Sequence, residues 1–147
     1  MITWTWKKFD DLTPHELYAI LQLRSEVFVV EQQCVFQDID DKDQPSYHVM
    51  GREGASLLAY TRLVPPGISY TEPSVGRVVT SPRARKSGLG RELMLYSIDQ
   101  CRALFGQHPI RIGAQLYLKK FYGSLGFQPE GDIYLEDGIQ HVEMLLS

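Results

Sequence analysis

The stretch from Val75 to Ala114 constrains this chain more than any other. Leu89, Leu93, Met94, Ile98, Cys101, Leu104 and Phe105 recur at helical spacing on one face, and the run closes at Gly106. Short apolar segments lie on either side: Val75–Thr80, stopped by Pro82, and Ile110–Ala114. Two strands joined through a helix should run parallel, by a right-handed crossover. The chain is thereby committed to an α/β arrangement in which a long helix covers a sheet.

The remaining segments fit around that unit. Ile2, Trp4 and Trp6 alternate with Thr3 and Thr5 and predict a half-buried opening strand. Thr13-Pro14-His15-Glu16 combines a capping box with proline at the first helical position, and Leu17, Ile20, Leu21, Val27 and Phe28 carry an apolar stripe to about Val30. The polar, acidic stretch Glu31–Ser46 reads as a long loop. Tyr47–Arg52 and Ser56–Val64 form a hairpin around Glu53-Gly54-Ala55. After Ile110–Ala114 comes a helix with Leu116, Tyr117, Phe121, Tyr122 and Leu125 inward, ending at Gly126; Ile133–Leu135 and Ile139–Leu146 close the chain as a hairpin around Asp137-Gly138.

At 147 residues, with no repeat or linker, the sequence predicts one domain. A formal net charge of -3 gives no general attraction to nucleic acid or anionic lipid, so neither is expected as a partner. Two cysteines without metal-ligand spacing imply a reducing compartment and no metal. With no signal peptide and no run of about 20 apolar residues, a cytoplasmic location is expected.

The chemistry concentrates at Arg85-Lys86-Ser87-Gly88-Leu89-Gly90, between a strand and the start of the long helix. The first amides of a helix have no intrahelical partner and the macrodipole is positive there, so the turn suits an anion such as pyrophosphate. Gly88 and Gly90 permit close approach of phosphate, and Arg85, Lys86 and Arg91 add charge. The segment lacks the GK[ST] ending of a P-loop and the third glycine of a dinucleotide fingerprint.

Arg-x-x-Gly-x-Gly at Arg85–Gly90, followed by Phe121-Tyr122-Gly123-Ser124-Leu125-Gly126-Phe127 after the next strand, resembles the GNAT superfamily of acyltransferases. Arg24–Gln32, Asp38-Ile39-Asp40 and Thr61–Pro65 narrow the resemblance to its ElaA-type subfamily. It implies an α/β fold with a mixed, mostly antiparallel sheet of about seven strands flanked by helices, in which Val75–Thr80 and Ile110–Ala114 splay apart. It implies acetyl-CoA as co-substrate and a small-molecule or peptide amine as acceptor. Backbone groups of Val78, Val79 and Thr80 would meet the pantetheine amides, residues Arg85 to Arg91 (Arg85, Lys86, Ser87, Gly88, Leu89, Gly90 and Arg91) would hold the pyrophosphate, and Gln115 stands where many relatives carry an asparagine.

The same resemblance makes Tyr122 the general acid for the departing thiolate. A phenol near pKa 10 is a weaker acid than a thiol near 8.5, so transfer is uphill by roughly 2 kcal/mol unless desolvation makes the thiolate more basic. The amine must also lose a proton. The strand Val75–Thr80 has no carboxylate to take it, which leaves Glu31 as first candidate base and His141 as second. Arg24 and Arg62, placed in a helix and a strand, are expected to pair with loop carboxylates such as Glu31 or Asp38, either shaping the acceptor pocket together with Phe28 or tying the loop down. The arrangement of Arg24, Phe28, Asp38, Asp41 and Arg62 also resembles acyl-homoserine-lactone synthases, whose substrates would be different. A CoA-binding module without catalysis, and a homodimer through the edge of the closing hairpin, stay open.

Overall fold

A computed structural model describes residues 1–85 and 88–147. The first strand, β1 (Thr3–Lys8), is followed by α1 (Pro14–Arg24), whose start is fixed by the expected capping box: Thr13 Oγ1 accepts from the Glu16 amide at 3.1 Å and Glu16 Oε1 from the Thr13 amide at 2.9 Å. The helix then widens into a π-helical turn over Ser25–Glu31, which the apolar spacing did not announce. Next come β2 (Tyr47–Glu53), β3 (Ser56–Val64), β4 (Ser74–Thr80) and α2 (Leu89–Phe105). β5 (Ile110–Gln115), α3 (Lys119–Ser124), β6 (Gln128–Pro129), β7 (Tyr134–Glu136) and β8 (Ile139–Leu146) complete the chain. Among the described residues no helix is long and apolar enough to cross a membrane.

β1, β2, β3 and β4 form one antiparallel sheet in that order; β5, β8 and β6 form a second, with β7 also on β8. Helix α1 covers one face of the first sheet, where Ile20, Leu23 and Val27 pack with Met50, Tyr60 and Val79. Helix α2 covers the other, placing Leu93, Met94, Ile98 and Cys101 among Val49, Ala59 and Leu63, and the same cluster continues into Ile112, Val142 and Met144 of the second sheet. Trp4 of β1 lies flat over Gly51 and stacks on Tyr96 of α2 at 5.7 Å. A Cβ on Gly51 would stand 2.5 Å from that indole, so glycine is required there.

The crossover unit is present, but β4 and β5 share no ladder among the described residues. Their neighbourhood is joined where β4 begins, by Arg111 N–H donating to Pro73 O at 3.1 Å. A bulge turns β4 aside. Its register on β3 jumps from Val79 opposite Tyr60 to Gly76 opposite Arg62, leaving Arg77 and Val78 against Thr61, with Arg77 at φ +49°. The helix expected after β5 is shorter than its pattern: a single 3-10 turn (Leu116–Leu118) precedes α3, and Tyr117, expected inward, is 73% exposed.

Candidate active site

The gap between β4 and β5 is a cleft of about 520 Å³. Alternation decides what faces it. On β5, Ile110, Ile112 and Ala114 enter the core, which turns Gly113 and Gln115 the other way; on β8, Val142, Met144 and Leu146 are core and Ile139, His141 and Glu143 lie on the opposite face, where His141 is nonetheless buried. Gly113 stands opposite Glu143, and Gln115 opposite His141. Gln115 and His141 therefore line the cleft, across from Val78, Val79 and Thr80 of β4. Its other walls come from Phe28, Glu31 and Gln32 of the π-helical turn and its end, from Gly90 of α2, and from Phe121 and Tyr122 of α3.

Helix α2 starts at the cleft as expected. Gly88 caps it at φ +92°, a left-handed conformation that favours glycine, and its carbonyl accepts from the Glu92 amide at 2.9 Å. Leu89 is buried with its side chain in the core, so only its backbone is available to a ligand, while Gly90 lines the cleft. Arg91 turns away to donate to Ser124 Oγ at 3.2 Å. Lys86 and Ser87, expected as phosphate ligands, lie outside the described residues.

Tyr122 is 6% exposed and held edge-on between Phe121 (centroids 5.1 Å apart) and Phe127 (6.0 Å). Burial, with a smaller contribution from the charge of Tyr117, pushes its phenol up to about 12. His141 lies within 2.7 Å of the Ile139 carbonyl through Nδ1. A carbonyl only accepts, so Nδ1 carries a proton and Nε2 is the ring nitrogen that can take one in a reaction. That Nε2 is 3.8 Å from Glu136 Oε2, and the ring stacks on Tyr134 at 5.7 Å. Gln115 Nε2 donates to Gln32 Oε1 at 3.3 Å.

Glu31, the first candidate base, is placed differently. Both its oxygens accept from Arg85, at 2.8 and 2.5 Å, across the mouth of the cleft. That hydrogen bonding lowers its pKa against a small opposing effect of burial, which leaves it a poor proton acceptor while the pair holds.

Arg24 and Asp38 are brought together, but away from the cleft walls. Arg24 is fully buried and donates to Asp38 at 2.8 Å and Asp43 at 2.7 Å; Arg62 reaches Asp40 at 2.7 Å and Asp43 at 3.0 Å. Arg77 completes the group, with Nε 2.8 Å from Asp38. Three arginines and three aspartates thus tie the loop after α1 to β3 and β4. His48 seals one side: its Nε2–H donates to the Asp43 carbonyl at 2.9 Å, and its Nδ1 accepts from the Tyr60 hydroxyl at 2.6 Å. The expectation that Arg24 and Arg62 pair with loop carboxylates is met, with Asp40 and Asp43 where Glu31 was named. The predicted acceptor role of Arg24 and Asp38 has no support from their placement, because their polar atoms are consumed within the cluster.

Four residues at the cleft and its surroundings escaped the sequence reading: Phe36, Arg77, Tyr70 and Tyr134. Only Tyr134 had a usable signal, since its strand pairs with β8 at His141.

Residues 10–147 match the acetyltransferase (GNAT) domain family. The chain therefore belongs to the GNAT acetyltransferase family and is an acyltransferase. Within the family it is of the ElaA-like branch. It is 38% identical to protein ElaA of Escherichia coli K12 over 98% of this chain and 95% of that protein, and the crystal structure of E. coli ElaA superposes with a TM-score of 0.93 at 37% identity, each chain covered in full. An acyl-CoA N-acyltransferase from Pseudomonas aeruginosa is similarly near: TM-score 0.95, 42% identity, full coverage of both chains. A CoA-dependent acyl-homoserine lactone synthase shares the fold alone, at a TM-score of 0.80 and 16% identity over 84% of its chain.

Proposed function

We propose that the protein transfers an acetyl group from acetyl-CoA to a primary amine by direct attack in a ternary complex, with Tyr122 as acid and His141 as base. The observation that carries this reading is that Tyr122 and His141 line one cleft, from opposite elements, beside the start of α2. The edge of β4 turned away from β3 has no ladder partner among the described residues, so backbone groups of Val78, Val79 and Thr80 are available to the pantetheine amides, and Arg85 and Gly90 line the same cleft at the start of α2, which supports pyrophosphate binding there.

The amine nitrogen attacks the thioester carbon, a C–N bond forms and the C–S bond breaks. His141 Nε2 takes a proton from the nitrogen and Tyr122 gives one to the departing sulfur, so the products are an amide and a free thiol. With the phenol near 12, donation to a thiolate of ordinary basicity would be uphill by about 5 kcal/mol. The burial that raises the phenol also raises the thiol in the same site, which closes part of that difference.

The test is thiol release from acetyl-CoA with a panel of amines, beside CoA binding by calorimetry. Tyr122→Phe is expected to lower amine-dependent release by about 100-fold or more with binding retained. Unchanged release in that variant would remove Tyr122 from the mechanism.

A further inference from the structure

A second cavity, of about 610 Å³, adjoins the first at the β4–β5 gap. It shares Gly76, Arg77 and Gly113 with the first, together with Phe36, Glu136 and Asp137. The junction is at Gly113. A side chain there would stand 2.8 Å from the Tyr134 hydroxyl and 3.0 Å from the Tyr70 hydroxyl, so the missing Cβ lets both phenols reach the gap. Tyr134 in turn stacks on His141, which faces the first cavity. Two spaces thus meet at a hydroxyl pair and an imidazole.

The second cavity has a marked charge imbalance. Arg62 and Arg77 line it, but their guanidinium groups are bound to Asp38, Asp40 and Asp43. Glu143 shares its one arginine, Arg111, with Glu72 and Glu130. Neither Glu136 nor Asp137 has a lysine or arginine partner, and Lys42 is the one lining cation without an ion pair among the described residues. The carboxylates also act on the phenols: burial first, then the neighbouring Tyr134 and after it Glu143 and Glu136, raise the pKa of Tyr70, and burial followed by Glu136 and Glu143 raises that of Tyr134.

We infer that this second cavity is the acceptor pocket and that its acceptor is an aliphatic diamine or polyamine. The inference rests on the acyl-transfer reading above. One nitrogen enters the junction over Gly113 as the neutral amine, attacks the thioester carbon and gives its proton to His141 Nε2 as already described. The other remains an ammonium ion among Glu136, Glu143 and the phenol oxygens. A carboxylate at that end would meet like charge with only Lys42 to offset it.

The experiment compares 1,5-diaminopentane, hexylamine and 6-aminohexanoate, which share a five-methylene chain and differ at the far end. The expected kcat/KM with acetyl-CoA is highest for the diamine, about tenfold above hexylamine and further above 6-aminohexanoate. Glu136→Gln and Glu143→Gln, tested separately, are expected to narrow the diamine-to-hexylamine ratio to about two- or threefold. Calorimetry gives a readout apart from turnover: the diamine should bind the CoA-loaded enzyme, and more weakly in either variant. Equal turnover of hexylamine, preference for 6-aminohexanoate, or an unchanged ratio in both variants overturns the inference while leaving acyl transfer standing. Turnover of none of the three with acetyl-CoA bound also overturns it. Failure to bind acetyl-CoA defeats the donor reading itself and the acceptor pocket with it.

Discussion

In the proposed reaction Tyr122 gives up a proton from a site that discourages its ionisation, and its ring is held firmly in place. Phe121 and Phe127 fix the ring, so the hydroxyl cannot turn away from the cleft without unpacking two aromatics. The residue was readable from Phe121-Tyr122-Gly123 in its family context, although its periodicity alone is that of any core aromatic. The base was harder to read. Glu31 looked suitable by its place after the first helix, but its partner Arg85 is 54 positions away and nothing local announces the pair. His141 was named second only for its place on the last strand; that it lines the cleft depends on strand β8 pairing with β5. At this scale a second prediction concerns packing: Gly51→Ala forces a methyl into the Trp4 indole and should lower unfolding free energy by about 1–3 kcal/mol in urea titrations, while Gly76→Ala, with open space around its Cβ position, should cost less.

Among the elements, the π-helical turn and the loop behind it need the most explanation. The loop was legible as a loop and its arginine partners were legible as costly cations, yet their assembly into one cluster depends on β3 and β4 arriving from far along the chain. Arg24→Ala would leave Asp38 and Asp43 with a buried charge deficit, and should destabilise the fold by about 3–5 kcal/mol and speed proteolysis within residues 32–46. The cluster also sets acid sensitivity. Burial pushes the Asp40 carboxyl up, but the hydrogen bond and charge of Arg62, with the charge of Arg77, outweigh it and bring the group to about 2. Its folded pKa is depressed, so its contribution, about 2 kcal/mol, is present above pH 4 and is lost as pH falls toward 2. His48 acts earlier: burial keeps it neutral, so the unfolded chain takes up its proton first and stability begins to fall below pH 6.5. Denaturant titrations from pH 7 to 2 should show both steps, and the first should vanish in His48→Gln relative to that variant's own value at pH 7.

Over the whole molecule, the α2 crossover was the most readable part, because a face of seven apolar residues bounded by glycines leaves few alternatives. Less of the sheet could be read. The crossover suggested paired parallel strands, whereas β4 and β5 join only near their start and the sheet divides in two, a consequence of the bulge at Arg77 and Val78 that no pattern in the strand itself records. Strand β6 is two residues long and had no sequence signal. The division gives the site its two openings. With acetyl-CoA in the first cavity and the amine in the second, as proposed, neither reactant need pass the other and no order of arrival is imposed. Initial-rate plots against either substrate should intersect rather than run parallel, and free CoA should compete with acetyl-CoA but not with the amine. The separation of two strands thus has a kinetic signature, read from slopes and intercepts.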